Sequence, residues 1–366
     1  MMRMDPQAIT RLAAGRTTAL VTGTNGKTTT TYLLARALGE DVAHNETGAN
    51  MSSGVVTAYA DSRAQLATIE VDELHFPAIA KMVEPDVVIL LNLSRDQLDR
   101  SHEVARVVSR WSKYLATSSA TVIANCADPN VVAAADGERT VWVDPGQHWP
   151  DDALTCPRCG GLIAWSDVDW RCDCGFTMPR ADYRVEGAAV IGPDGVQHAL
   201  ALSIPGDFNR GNAAFALAAA VVMGVEADTA IARMETLQSA SGRYLTYDVG
   251  GRPARLVLAK NPAGMRAALG LVGDAQVILG INAREVDGRD TSWLYDAPLE
   301  MLAGRAVGVT GERRDDLALR LQIAGADPVV DADINSLARR LPPGELVLVG
   351  NYSNFIVWRR GRVWTP

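Results

Sequence analysis

The densest concentration of reactive residue types is Val21-Thr22-Gly23-Thr24-Asn25-Gly26-Lys27-Thr28-Thr29-Thr30. An apolar run, Thr18-Ala19-Leu20-Val21, enters it, and a helical pattern, Tyr32 to Leu38, leaves it. Glycines in a strand-to-helix turn let backbone amides approach phosphates, a lysine counters their charge, and a threonine hydroxyl reaches Mg²⁺. The general spacing G-x-x-x-x-G-K-[ST] places a glycine where Val21 stands; here the glycine is Gly23, so the loop is a variant. An ordinary glycine-rich turn is the plain alternative, and Gly26-Lys27-Thr28-Thr29 with both flanks in agreement disfavours it. These residues predict an ATP site.

Further along, Gln65 to Glu73 reads as a buried strand that ends in three carboxylates, Glu70, Asp72 and Glu73. A strand ending in acids beside a phosphate loop is a common Mg²⁺ holder, with a solvated acidic turn as the alternative. Glu70, with Thr28, is the preferred metal pair; Asp72 and Glu73 follow. Asn45 to Gly54 is too rich in Asn, Gly and Ser for a regular element and predicts a surface loop near the phosphates. Asn209 and Asn212, one turn apart at a helix start, can cap that helix or bond a purine edge.

Four of the five cysteines fall in two knuckles, Cys156-x-x-Cys159 and Cys172-x-Cys174, joined by a β-like Leu162 to Trp165. That pattern predicts a ribbon holding structural Zn²⁺, although C-x-x-C is the usual second knuckle. No ligand position is left open for catalysis. Reduced cysteines filling a small core are the alternative. Cys126 stands apart and reads as a small buried side chain.

The elements that must position these groups alternate along the chain. Buried strands are expected at Asp86 to Leu93 and Ala120 to Asn125, each followed by polar residues. A second α/β unit is expected after Val249-Gly250-Gly251-Arg252-Pro253, which looks linker-like. Its strands are Arg255 to Ala259, Gln276 to Gly280, Arg305 to Val309 and Glu345 to Val349. Strands alternating with helices imply parallel sheets with ligands at their carboxyl edges and a cleft between two domains. The expected domains are 1–248, with the ribbon inserted at about 151–180, and 249–366.

At 366 residues, 48% hydrophobic and 21% charged, the chain has ample material for two cores and is far from disordered composition. A net charge of −8 argues against a nucleic-acid partner. The opening residues do not read as a secretory signal, and the apolar run Ala213 to Val225 is too short to span a bilayer. Clustered cysteines suit a reducing compartment, so a cytoplasmic enzyme is expected.

Several of these pieces, in one order, resemble the Mur ligase family, ATP-dependent ligases of peptidoglycan synthesis and folate polyglutamylation. Thr22 to Thr28 is similar to that family's T-G-T-N-G-K-T loop, and Asn92 to Arg100 resembles its N-x-x-x-D-H-L-D-R segment. Asn125 to Pro129, Gly206 to Asn212 and Gly242-Arg243 fall where its later nucleotide motifs lie. Gln97 replaces a histidine that often supports a second metal ion, which argues against a two-metal site. With so few residues before Thr22, no UDP-sugar domain is expected there, and a four-cysteine ribbon is expected to interrupt the central domain. The final domain carries Lys260-Asn261-Pro262 in place of an H-x-P motif, then Asp287 to Asp296. These departures are similar to the MurT branch of the family.

The resemblance implies a central P-loop domain with a zinc-ribbon insertion and a Rossmann-like carboxy-terminal α/β domain. It implies ATP-dependent amidation of the D-glutamate α-carboxylate in the lipid II stem peptide, through an acyl phosphate, at the cytoplasmic face of the membrane. Ammonia is expected from a separate glutaminase chain, GatD. By matched position, Gly23, Thr24, Asn25, Gly26, Lys27 and Thr28 would hold the ATP phosphates, and Thr28 and Glu70 Mg²⁺. Asn209 and Asn212 would meet adenine, and Arg243 the nucleotide from its own side. Lys260 is a candidate catalytic cation. Asp290, then Asp296 and Asp287, would orient the partner's catalytic histidine, with helix capping as the alternative for Asp290. Competing functions are a stand-alone amino-acid ligase and, in a different class, a zinc-ribbon ATPase that binds nucleic acid.

Overall fold

The computed structural model describes residues 5, 7–46, 48–95, 104–137, 139–241, 246–284 and 287–359. The chain forms two compact units, Met1–Ser94 with Glu103–Ser241, and Arg95–His102 with Gly242–Pro366.

The first unit runs α1 (Ala8–Ala13), β1 (Thr17–Thr22), α2 (Lys27–Leu38), β2 (Val42–His44), α3 (Ser52–Ala60), β3 (Leu66–Glu70), α4 (Phe76–Val83) and β4 (Val87–Leu90). It continues through α5 (Val104–Leu115), β5 (Thr121–Asn125), α6 (Pro129–Ala135), β6 (Thr140–Asp144), β7 (Ile163–Trp165), β8 (Trp170–Cys172), β9 (Tyr183–Glu186), β10 (Ala189–Ile191), β11 (Gln197–Ala199), α7 (Asp207–Val222) and α8 (Ala227–Glu235). Its nine-stranded sheet has the order β11-β10-β9-β6-β5-β4-β1-β3-β2. From β2 to β9 every neighbouring pair is parallel; β9, β10 and β11 add an antiparallel edge.

Both faces of the central strands are covered, which is why they read as near-continuous apolar runs. Leu20, Ile69, Val88, Leu90 and Val122 pack in one core, while the alternate residues Ala19, Val21, Ile89 and Ile123 are buried too. On a parallel sheet all strands end together, so Thr22, Glu70, Leu90 and Asn125 bring their following loops to one edge. The segment Asn45 to Gly54 is only partly a loop, because α3 begins at Ser52.

The ribbon leaves the sheet after β6 and returns at β9. Its strands β7 and β8 form a separate antiparallel pair, with Ile163 opposite Cys172 and Trp165 opposite Trp170.

The second unit runs β12 (Thr246–Val249), β13 (Arg252–Leu258), α9 (Pro262–Gly270), β14 (Gln276–Gly280), β15 (Ala306–Thr310), α10 (Arg314–Ile323), β16 (Asp327–Val330), α11 (Ile334–Arg340), β17 (Leu346–Gly350) and α12 (Tyr352–Arg359). Sheet order is β12-β13-β17-β14-β15-β16, with only the β12–β13 pair antiparallel. Val277, Leu279, Val347 and Val349 face one core; Ile278, Leu346 and Leu348 face the other, the period-two division of a sheet buried on both sides. The stretch Val249 to Pro253 is not a linker. Gly250 (φ 63°) and Gly251 (φ 83°) form the two-residue turn of the β12–β13 hairpin, a backbone glycine adopts without strain.

Candidate active site

The glycine-rich loop turns from β1 into α2. Gly23 (φ 137°) lets the chain pass Asn92, whose N and O atoms would lie 3.0 Å from a Cβ there. Gly26 (φ 88°) lets Asn212 approach: a Cβ on Gly26 would meet its Oδ1 at 2.5 Å. Lys27 opens the helix and is buried. Its Nζ donates to the carbonyls of Gly23 and Thr24 and to Glu73 Oε2, the last at 3.1 Å. Thr28 Oγ1 donates to Glu70 Oε2 at 2.8 Å. The loop therefore places a cation, a hydroxyl and two buried carboxylates around a helix N-terminus, a position suited to an anion and its counter-ion.

Glu70 ends β3 and is fixed from several sides. Asn45 Oδ1 accepts its N–H at 2.7 Å and Asn45 Nδ2 donates to its carbonyl at 3.0 Å. A Cβ on Gly48 would lie 3.4 Å from Thr28 Oγ1, so the loop after β2 does come to this edge.

Behind the loop lies a set of strand-end bonds that spacing alone did not mark. Asn92 accepts from Asn25 N–H at 2.9 Å and donates to Asn25 O at 3.0 Å. Asp128 caps α6 by accepting from Asn130 and Val131, and its other oxygen accepts the Leu93 N–H at 2.7 Å. Surrounding protein pushes the Asp128 carboxyl up to about 6, against the pull of those three N–H donors. Its signal in the sequence is Asp128-Pro129, an N-cap residue before a first-turn proline. Cys126 is fully buried, and burial pushes its thiol well up, as befits a packing residue.

Neither Asn209 nor Asn212 caps α7. The helix starts at Asp207 with Gly206 (φ 102°) as N-cap, so both asparagines lie inside it. Asn209 Nδ2 donates to Pro205 O, Asn212 Nδ2 to Asn209 Oδ1, and Thr30 Oγ1 donates to Asn212 Oδ1 at 3.3 Å. Asn212 thus stands directly against the loop, with Asn209 behind it. Arg243 and Gln97 lie outside the described residues.

The four ribbon cysteines converge. Their Sγ atoms all lie within 4.8 Å of one another, with Cys156–Cys174 at 3.8 Å and Cys159–Cys172 at 3.5 Å. Four thiols that close and no disulfide suit a tetrahedral metal site with no open position. The Phe176 N–H pulls the Cys174 thiol down, while the thiols of Cys159 and Cys172, crowded against their neighbours, are pushed up.

In the second unit, Lys260 follows β13, half-buried, and Asn261 caps α9 by accepting from Gly264 N–H at 2.8 Å. The three aspartates after β14 have different surroundings. Asp287 is buried: Oδ1 accepts the Ser353 N–H at 2.8 Å at the start of α12, and Oδ2 has no hydrogen-bond partner among the described residues. Burial pushes its carboxyl up. Asp290 is exposed and accepts the Ser292 N–H at 2.8 Å, at the head of the 3₁₀ turn Ser292–Tyr295. Asp296 is exposed and pairs with Arg95 at 2.9 Å.

Residues 21–148 match the Mur ligase middle domain and residues 258–345 the MurT ligase C-terminal domain. The lipid II isoglutaminyl synthase (glutamine-hydrolyzing) subunit MurT of Staphylococcus aureus (strain COL) is 30% identical, over 91% of this chain and 84% of that one. The chain belongs to the MurT family of Mur ligases. The MurT subunit of Streptococcus pneumoniae is 27% identical over 88% of this chain and 80% of its own. A pseudomurein peptide ligase type C from Methanothermus fervidus has the same fold, with a TM-score of 0.73 at 19% identity, covering 94% of this chain and 78% of that one. MurT membership accounts for the Mur ligase fold of the two units, and the cysteine cluster fits a ribbon insertion within it.

Proposed function

We propose that this chain is the ligase subunit of a lipid II isoglutaminyl synthase, amidating the D-glutamate α-carboxylate of the stem peptide with ammonia from a GatD-type glutaminase. The chain is an ATP-dependent ligase of peptidoglycan synthesis, and Mur ligases use ATP and Mg²⁺. A MurT chain is one subunit of a complex, and among the described residues no helix is long and apolar enough to cross a membrane. The observation that carries the reading is the pairing, in one chain, of the Lys27–Thr28–Glu70 phosphate edge with a second unit of MurT type.

A carboxylate is a poor electrophile. Transfer of the ATP γ-phosphoryl group to one of its oxygens gives an acyl phosphate and ADP; ammonia then attacks the carbonyl carbon and inorganic phosphate leaves. Charge passing between two anions needs preorganised cations and donors. Gly23, Thr24, Asn25, Gly26 and Lys27 bind the phosphates through amides and Nζ, Lys27 exchanging Glu73 for a phosphate oxygen. Thr28 and Glu70 would hold Mg²⁺, which would supply Lewis-acid stabilisation when bound; the 2.8 Å bond between them supports this. Asn212, Asn209 and Arg243 serve the nucleoside, and Lys260 is a catalytic cation whose loss lowers kcat. The four cysteines hold structural Zn²⁺. The complex works at the cytoplasmic membrane face, where lipid II carries its stem peptide.

Asp290 orients the partner's catalytic histidine; it is the exposed acid of the segment that is not ion-paired to Arg95 in the way Asp296 is, while Asp287 is turned inward. The test uses the purified chain with its glutaminase, ATP and lipid II, supplied with glutamine, ammonium or D-amino acids. Amidation from glutamine and from ammonium supports the reading. Ligation of an amino acid without the glutaminase would replace it with the stand-alone ligase. Asp290→Asn should abolish the glutamine-dependent rate and spare the ammonium-dependent one; equal loss of both removes Asp290 from that role.

A further inference from the structure

The ribbon does not close its core alone. Cys156, Ile163, Trp170, Cys172 and Phe176 pack together with Val132, a residue of α6. Arg158 lies over the Phe176 ring, 4.2 Å from its centroid, and pairs with Asp136 at the carboxyl end of α6. At the other end of that helix, the buried Trp170 Nε1 donates to the Cys126 carbonyl at 3.1 Å. The ribbon therefore grips α6 at both termini.

What α6 carries connects to the phosphate loop. Between Cys126 and the helix stands Asp128, bonded to the Leu93 N–H. Next to Leu93, Asn92 makes two bonds to Asn25, its carbonyl accepts the Thr24 N–H at 2.9 Å, and Ser94 N–H donates to Thr24 Oγ1 at 3.0 Å. An unbroken series of hydrogen bonds and covalent links runs from the Trp170 indole to the residues that shape the loop.

We propose that Trp170 is a positioning residue for nucleotide binding: its bond to the Cys126 carbonyl sets the 126–128 turn, which holds Asn92 and Leu93 against the phosphate loop. The ribbon is thus a brace for the ATP site, in addition to any stability its metal confers. The inference rests on the ATP-site reading above. The test measures the energetic coupling along this series directly.

The assay is calorimetric titration of the full chain, in complex with its glutaminase, with ADP and Mg²⁺. Trp170→Phe keeps the ring and removes the N–H; a lost hydrogen bond of ordinary strength predicts binding about five-fold weaker, with kcat at saturating ATP and zinc content unchanged. Trp165→Phe is the matched control, because its Nε1 donates to Ala153 inside the ribbon at 3.2 Å. It should leave ADP affinity at the wild-type value. If Trp170→Phe does not fold, Trp170→benzothienylalanine removes the same N–H from an indole-shaped ring and carries the same expectation. Wild-type affinity in the Trp170 variant, or equal weakening in both variants, overturns the brace. Failure of the wild-type complex to bind nucleotide overturns the ATP-site reading and the brace with it.

Discussion

At Gly26 the left-handed backbone and the approach of Asn212 impose the same requirement. The Asn212 amide cannot swing aside, since it is bonded to Asn209 and Thr30. Gly26→Ala should cost ~1–3 kcal/mol of stability and weaken ADP binding by about ten-fold or more, measured by denaturant unfolding and titration calorimetry. Wild-type affinity in that variant would mean the loop shifts freely. Asp128 gives a pH prediction. Its folded-state value of about 6 lies above that of an unfolded aspartate, so the native state holds the extra proton between the two values and stability falls as pH rises from about 4 to about 6. The slope is at most ~1.4 kcal/mol per pH unit and should vanish in Asp128→Asn. Equal slopes in the two proteins would show that its three N–H donors keep Asp128 ionised throughout. The phosphate loop was legible because glycine spacing reports backbone geometry directly. The Lys27–Glu73 pair and the Asn92–Asn25 bonds were not, since they join residues far apart in sequence. Of the two readings of Asn209, cap or purine partner, the structure removes capping, because nothing local in the sequence marks Gly206 as the residue where α7 begins.

The ribbon is an excursion between two strands of the main sheet, paired only at Val143↔Tyr183 and Asp144↔Arg184. Opening it need not unzip the sheet, whose central strands pair with other neighbours. Removal of the proposed metal with a strong chelator should leave far-UV circular dichroism nearly unchanged and expose protease sites confined to about 150–182, with ADP binding weakened as the grip on α6 loosens. Cooperative loss of the whole signal would instead make the ribbon part of the first unit's folding core. Cysteine spacing foretold the convergence of the four thiols, because two short knuckles joined by a β-like segment leave few geometries. The β12–β13 hairpin was misread as a linker because Pro253 argues against a strand. Pro253 is tolerated because the β17 ladder begins only at Ala254, so its missing N–H forfeits no bond on that side.

The two units have separate sheets and separate cores, and their proposed tasks divide in part the same way: phosphate and metal binding in the first, partner recognition in the second, which also carries Arg243 and Lys260. Buried apolar strands with alternate residues in two cores are what an independently stable domain requires. A fragment of residues 242–366 should therefore unfold in a single cooperative transition, bind the glutaminase within about ten-fold of the full chain's affinity, and show no nucleotide binding. Asp290→Asn in that fragment should leave glutaminase binding intact but fail to stimulate glutamine hydrolysis, separating docking from completion of the partner's triad. Residues 5–241 should bind ADP, more weakly than the full chain for want of Arg243, and should not bind the glutaminase. Amidation should need both halves, because an acyl phosphate made without an ammonia source at hand is lost to water. A glutaminase that bound residues 5–241 instead would reverse the division, and the aspartates after β14 would then need another role.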